Sequence, residues 1–295
     1  MIYDIKHVTR YSYETRVASS TLMLRVTPRD GDGQRCLDHA VSISPDPRSI
    51  TAEHDFFGNE VSVARIETSL IDLSIEARAR VEVERPKRPP AKSGPDLKAV
   101  VDRAARVQSV GPDAPAHFIF PSPRITLSQA IASYAATSFT DGKAVLDGAR
   151  ELAARIRKDF KYQPNSTAVS TPVEQAFQQR RGVCQDFAHI MIAGLRALGI
   201  PAAYVSGYIR TIPPPGRPRL AGADATHAWV SVWCGDELGW IGIDPTNAID
   251  AGNDHIVLAV GRDFSDVSPI YGVFLGSGAQ ELEVGVDVIP VTAPA

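Results

Sequence analysis

The chain has 295 residues, 44% of them hydrophobic and 22% charged, with a formal net charge of −3. This is the composition of an ordinary soluble globular protein with room for one large or two medium cores. The small net charge offers no electrostatic case for nucleic acid or an anionic membrane as partner, and no stretch approaches the ~18 apolar residues of a membrane span.

The first residues, Met1-Ile2-Tyr3-Asp4-Ile5-Lys6-His7, carry charges where a secretory signal needs an apolar run, so cytoplasmic placement is the expectation. Residues 1–88 read as a β domain. Its clearest strand runs from Ile71 to Val83. Ile71, Leu73, Ile75, Ala77, Ala79, Val81 and Val83 alternate there with Asp72, Ser74, Glu76, Arg78, Arg80 and Glu82, the pattern of an antiparallel strand with one wet face. Tyr3 to Tyr13, Thr21 to Thr27, Leu37 to Ile43 and Glu60 to Ile66 follow the pattern less cleanly. Turn chemistry separates them at Pro28 to Gly33, Ser44-Pro45-Asp46-Pro47 and Phe57-Gly58-Asn59. Several short strands without helices suggest a sandwich-like scaffold, with a partner-binding module as the alternative. Nothing in this domain looks catalytic.

Residues 89–143 read as a linker and helical connector. The segment Arg85 to Pro95 is Pro- and Lys/Arg-rich, and helices are expected over Leu97 to Val107 and Leu127 to Ala136. Residues 144–295 form the third unit. Val145, Ala149, Leu152, Ala153, Ile156 and Phe160 make one apolar stripe of a helix from Ala144 to Phe160. Thr171-Pro172-Val173-Glu174 has the spacing of a capping box, with Thr171 as N-cap, Pro172 first in the helix and Glu174 at N3.

That short helix hands over to Arg181-Gly182-Val183-Cys184-Gln185-Asp186-Phe187. Phe187, Ile190, Met191, Leu195 and Leu198 fall on one face of a following helix, which Gly199 and Pro201 stop. Cys184 sits three residues before Phe187, at the head of the inward face. A thiol there meets the positive end of the helix dipole and the free N–H groups of the first turn, both of which favour thiolate over thiol. An inert core cysteine is the alternative. His189 lies about 140° round the helix from Cys184 and reads as structural.

Strands follow at Ala202 to Ile209, Ala228 to Trp233, Trp240 to Ile243, His255 to Val260 and Leu282 to Val288. Thr211 to Asp224 is a Pro-rich loop, long enough to suit a lid or binding loop. A hairpin turning near Gly235-Asp236 sets His227 directly or diagonally across from Asp244, within reach for a carboxylate to orient an imidazole. Cys184, His227 and Asp244 thus have the logic of nucleophile, base and orienter in acyl transfer. Singly, His227 could be a satisfied core histidine and Asp244 a turn-forming residue before Pro245. His255 reads as a strand-end residue, and Trp229, Trp233 and Trp240 read as packing. The three cysteines, Cys36, Cys184 and Cys234, suggest no disulfide framework, and no metal or cofactor motif is present.

Gly182-Val183-Cys184, Thr226-His227-Ala228-Trp229 and Gly242-Ile243-Asp244-Pro245-Thr246-Asn247 together resemble the three catalytic motifs of the transglutaminase-like superfamily. The β-rich start, Tyr162-Gln163-Pro164-Asn165 and Val260-Gly261-Arg262-Asp263 resemble its bacterial members. The resemblance implies an α+β, papain-like core, with a nucleophile helix packed on an antiparallel sheet, preceded by a β-sandwich-like domain. It also implies Cys184 as nucleophile, His227 as general base and acid, and Asp244 as orienter. Gln185 stands where many transglutaminases carry Trp, and no acidic calcium loop is found. Hydrolysis of an amide in a peptide or protein, as by a cysteine protease or amidase, is therefore the expected reaction. A transglutaminase using an amine acceptor is one alternative, and a non-catalytic peptide-binding module is another. The Cys184 backbone N–H is the expected oxyanion donor, with Gln185 and Tyr162 open for a second.

Overall fold

The structure is a computed structural model and describes residues 1–211, 222 and 225–291. The strands are β1 (Ile2–Val17), β2 (Ser19–Leu24), β3 (Gln34–Ser44), β4 (Ser49–His54), β5 (Glu60–Ile66), β6 (Leu70–Val83), β7 (Lys161–Tyr162), β8 (Arg181–Gly182), β9 (Ala202–Ile209), β10 (Ala225–Trp233), β11 (Trp240–Asp244), β12 (Ile249–Asp250), β13 (His255–Gly261), β14 (Ile270–Leu275) and β15 (Gln280–Pro290). The α-helices are α1 (Leu97–Ala104), α2 (Gln129–Ala136), α3 (Val145–Asp159), α4 (Val173–Gln179), α5 (Cys184–Ala197) and α6 (Phe264–Val267). Among the described residues no helix is long and apolar enough to cross a membrane.

The N-terminal part is a sandwich of two four-stranded antiparallel sheets, ordered β15-β1-β6-β3 and β14-β2-β5-β4. Alternation dictates the arrangement. Leu73, Ile75 and Ala77 of β6 turn inward to meet Leu22 and Leu24 of β2 and Ile66 of β5 in one buried cluster. β4 escaped the sequence reading because all six of its residues are exposed, so it carries no alternation to detect.

The second part is a five-stranded antiparallel sheet, β12-β11-β10-β9-β13, with α5 against its face and α2, α3 and α4 around α5. α5 is buried along nearly its whole length, so its apolar stripe is continuous with Tyr204, Val230 and Ile243 of the sheet. This is the expected nucleophile helix on an antiparallel sheet. Gly199 ends the helix in the left-handed region, at φ +79°.

Two expectations are corrected by the structure. Residues 270–290 were expected to belong to the core, but β14 and β15 pair with β2 and β1 in the sandwich, with Tyr3 opposite Pro290. Thr171 is not the cap of α4. Pro172 holds the N-cap position, while the Thr171 hydroxyl accepts the Ala168 N–H at 2.9 Å. Glu174 instead accepts from the Ser128 hydroxyl at 3.1 Å.

The two parts share a buried seam. Tyr3 and Ile5 of β1, Val81 and Val83 of β6, and Val286 and Val288 of β15 pack on Tyr208, Ile256 and Leu258 of the second sheet. The long strands of the first sheet thus serve two cores, one at each end.

Candidate active site

The site begins at the head of α5. Val183 is the extended N-cap residue, and Asp186, at N3, reaches back to accept its N–H at 2.8 Å. Val183 has no side-chain acceptor to return, so this is half of a capping box. The Asp186 carboxylate also accepts from the Thr167 hydroxyl at 2.7 Å. Burial pushes Asp186 up from its ordinary range, against these bonds. Gly182 is required here, because a Cβ would lie 2.5 Å from the Asp186 carboxylate. Cys184 is the first helical residue, so its backbone N–H has no carbonyl partner within the helix. Its thiol is free and partly exposed.

The second element is the β10–β11 hairpin. Val230 pairs with Ile243. One step further along that register sets Trp229 across from Asp244, so His227 is the diagonal neighbour on the same face. The His227 Nε2 lies 2.9 Å from the Asp244 Oδ2, with both side chains buried. That leaves Nδ1 for Cys184, whose thiol lines the same cleft and acts on the ring. The structure therefore brings Cys184, His227 and Asp244 together in sequence order of thiol, imidazole and carboxylate.

Burial works against charge on His227, yet the hydrogen bonds to Asp244 and Cys184, and their charges, push it up to about 10. Burial likewise raises Asp244, but its bonds to His227, His255 and Asn247 outweigh that and hold it well below the usual carboxylate range. Oδ1 accepts the N–H groups of Thr246 at 2.8 Å and Asn247 at 3.2 Å. Oδ2 accepts from His227, from the Asn247 amide at 2.7 Å and from His255 at 3.3 Å. A carboxylate so fully donated to is a poor base, suited to orienting the imidazole rather than to taking its proton.

His227, Asp244 and His255 place their ligand-type atoms within 4.8 Å of one another, close enough to raise a metal site. The donor set does not fit one. The His255 Nδ1 accepts the Gly252 N–H at 3.2 Å, so its proton sits on Nε2 and points at Asp244. A metal-ligating histidine would have its lone pair there and donate from the other nitrogen.

A cleft of about 420 Å³ opens over Cys184 and His227. One wall is Tyr204 and Ser206 of β9. The other comes from the N-terminal sandwich, with His7, Thr9 and Tyr11 of β1 and Leu282 and Val284 of β15. The sequence reading treated this domain as scaffold and missed that it lines the cleft. A signal was present, since His7 and Thr9 continue the inward face of Tyr3 and Ile5, and polar residues on a buried face ask for partners. The His7 Nδ1 is 2.8 Å from the Tyr208 hydroxyl and its Nε2 is 3.0 Å from the Thr9 hydroxyl. Burial pushes His7 down to about 4.

Gln185 lines the cleft, with its amide donating to the Val169 carbonyl at 3.2 Å. Tyr162 is half-exposed beside Gly182, and burial and the Cys184 charge raise its phenol. His189 is buried away from the thiol, its Nε2 accepting the Phe264 N–H at 3.3 Å. Trp229 packs inside, stacked on His227 and edge-on to His255. The loop expected over Thr211 to Asp224 lies outside the described residues except at its Thr211 end and at Gly222, whose N–H donates to Asp287 at 2.7 Å. His255, expected to be a mere strand-end residue, is a partner of Asp244. No local pattern announces that contact, because it joins β13 to β11 across the sheet.

Comparison with known proteins agrees with this architecture. Residues 3–82 match the bacterial transglutaminase-like N-terminal region, and residues 132–245 match the transglutaminase-like superfamily. An uncharacterised protein of Mycobacterium tuberculosis is 38% identical over 299 residues, covering 99% of this chain and 94% of its own. A protein-glutamine gamma-glutamyltransferase of Pseudomonas aeruginosa is 35% identical over 103 residues, which is 32% of this chain and 15% of that enzyme. A solved structure from Cytophaga hutchinsonii, described as a candidate cysteine protease, superposes with a TM-score of 0.75 at 23% identity, covering all of this chain and 92% of that one. At that identity the likeness shows the fold.

Proposed function

The chain belongs to the transglutaminase-like superfamily, and from that premise we propose that it hydrolyses an amide bond of a peptide or protein through a Cys184 thioester. One observation carries the reading: a single buried imidazole, His227, is bonded to a fully donated Asp244 carboxylate and shares one cleft with the Cys184 thiol, which acts on its ring. That is the arrangement that turns a weak nucleophile into a thiolate paired with an imidazolium.

The reaction follows from these groups. The Cys184 sulfur attacks the amide carbonyl, and its C=O electrons move onto oxygen. The backbone N–H of Cys184 at the head of α5 is placed to bind that oxyanion, backed by the positive end of the helix dipole. As the C–N bond breaks, imidazolium His227 gives its proton to the departing nitrogen, and an amine or ammonia leaves. The acyl group remains on sulfur. Water then enters, His227 takes one of its protons, and the hydroxide oxygen attacks the thioester carbonyl. The C–S bond breaks, the carboxylic acid leaves, and thiolate and imidazolium are restored. Asp244 stays ionised throughout and keeps the ring in register.

The two cleft walls, with Tyr204 and Ser206 on one and Leu282 and Val284 on the other, are apolar and hydroxyl-bearing, which suits a neutral acyl donor with water as the second reactant. Alkylation of Cys184 by iodoacetamide, followed across pH by mass spectrometry of its peptide, tests the pair. Fast labelling well below the pH at which free thiols react, lost in His227→Ala, is the expected result. Labelling of Cys184 no faster than that of Cys36, in both proteins, would refute it. Amine release and incorporation of a labelled amine, measured in parallel on a peptide library, then separate hydrolysis from transamidation.

A further inference from the structure

His255 is a buried titratable group beside His227 and Asp244 that the reaction above leaves unused. It opens β13, is 1% exposed, and lies edge-on to Trp229 with ring centroids 5.2 Å apart. Its two nitrogens are committed in opposite senses. Nδ1 accepts the Gly252 N–H at 3.2 Å, which requires a lone pair on Nδ1 and puts the proton on Nε2. Nε2 lies 3.3 Å from the Asp244 Oδ2, the same oxygen that faces His227 at 2.9 Å. A neutral imidazole locked in one tautomer by a main-chain donor is a fixed N–H dipole. Its positive end points at the oxygen that holds the general acid.

We propose that His255 is a positioning residue that holds Asp244 Oδ2 and limits how tightly that oxygen grips the imidazolium of His227. This inference rests on the proposed thiolate–imidazolium pair. The physical argument has two parts with the same sign. A carboxylate oxygen that shares its lone pairs among several donors is a weaker acceptor for each of them. The Nε2–H dipole of His255 also opposes positive charge on the His227 ring, whose centroid is 6.2 Å away. Without His255, Asp244 would bind the imidazolium more strongly. The proton would then be harder to pass to a departing amine, although the thiolate would form more readily. The titratable groups that face this pair are Cys184 from α5 and His255 from β13, with Tyr204 of β9 and Tyr162 of β7 facing the thiol. Trp229 and Asn247 are its other, uncharged neighbours.

The test compares His255→Phe, which keeps a ring but no donor, with His255→Gln, whose amide N–H can occupy the place of Nε2. Both are read by the pH dependence of iodoacetamide labelling at Cys184, beside wild type and His227→Ala. In His255→Phe the acid limb should move to lower pH by about half a unit or more, a fraction of the worth of a hydrogen bond to a charged group. His255→Gln should return the limb toward wild type. A limb unmoved in His255→Phe, moved to higher pH, or displaced alike in both variants would overturn the proposal and leave His255 a packing residue. Should His255→Phe fail to fold, nitrogen-15 NMR of the wild-type rings at pH 8 decides: His255 must be the Nε2-protonated tautomer, and an Nδ1-protonated ring would overturn the assignment. If His227→Ala leaves the labelling profile unchanged, the thiolate–imidazolium reading itself fails. If only His227→Ala moves it, this inference fails alone.

Discussion

The two ends of α5 carry two buried polar clusters made from nearly the same residue types. At its head stand Cys184, His227, Asp244 and His255; further along stand His189, Arg196 and, facing them, Asp263. Their imidazoles go opposite ways. His227 is pushed up to about 10, whereas burial drives His189 down to about 4 despite the Asp263 charge. Depth does not separate them, since both are almost fully enclosed. Hydrogen-bond direction does. The His189 Nε2 is occupied as an acceptor, while the His227 Nε2 faces an acceptor and its ring also meets a thiol. Asp263 spends its oxygens on the Arg124 and Ser265 N–H groups and the Ser265 hydroxyl. Arg196 donates to the carbonyls of Ala202, Phe120 and Arg262 and to the Ser122 hydroxyl, stitching three segments together. A closed cluster, with its groups satisfied internally, builds the fold. The cluster at the head of α5 differs in opening onto a cleft, as the proposed chemistry requires.

This contrast can be broken by substitution. Cys184→Ala is expected to cost about a millionfold in turnover of a peptide amide found by library screening. On the same substrate Asp244→Asn should cost about 10⁴-fold, because the imidazole loses its fixed tautomer. At the other end, Arg196→Met should cost about 3–5 kcal/mol in urea unfolding, since it leaves the buried carbonyls of Ala202, Phe120 and Arg262 without their donor. It should leave the pH profile of Cys184 labelling in the folded protein unchanged. A shifted profile would mean that the two ends are not independent.

The pH dependence of stability sharpens the comparison. His189 has its folded value depressed to about 4, against about 6.5 when unfolded. Its contribution is therefore present above about 6.5 and lost as pH falls toward about 4. His227, raised to about 10, contributes fully below about 6.5 and loses that contribution as pH rises toward about 10. His189→Phe should flatten the acid side of a Tm-versus-pH curve and His227→Ala the alkaline side, each on the order of 1–3 kcal/mol. Equal flattening of both sides by either variant would contradict the assignment. Thr171→Ala, which removes only the turn bond to Ala168, should cost less than about 1 kcal/mol.

Much of the site was legible because its signals are local. The stripe from Phe187 to Leu198 specifies a buried helix, and the hairpin between His227 and Asp244 is counted off a short turn. The sandwich was legible wherever one face is buried, as in β6. What was not legible depends on distant pairing. β14 places Tyr271, Val273 and Leu275 on an exposed face, so its apolar residues mark no core. The role of His255 needs the β13–β9 register, and that of His7 needs the second sheet. Thr171 shows the converse, a local capping pattern overridden because its hydroxyl accepts the Ala168 N–H instead.

The pairing of β15 with β1 also bears on how the molecule is made. β1 leaves the ribosome about 260 residues before β15, the strand that pairs with it. The first sheet is therefore finished only after the second has been translated, and its seam with that sheet waits for Val286 and Val288. Leu282 and Val284 arrive on the same late strand, so the cleft acquires that wall only after Cys184 and His227 have been made. A nascent chain can thus carry Cys184 and His227 for some time without a complete place to hold a substrate.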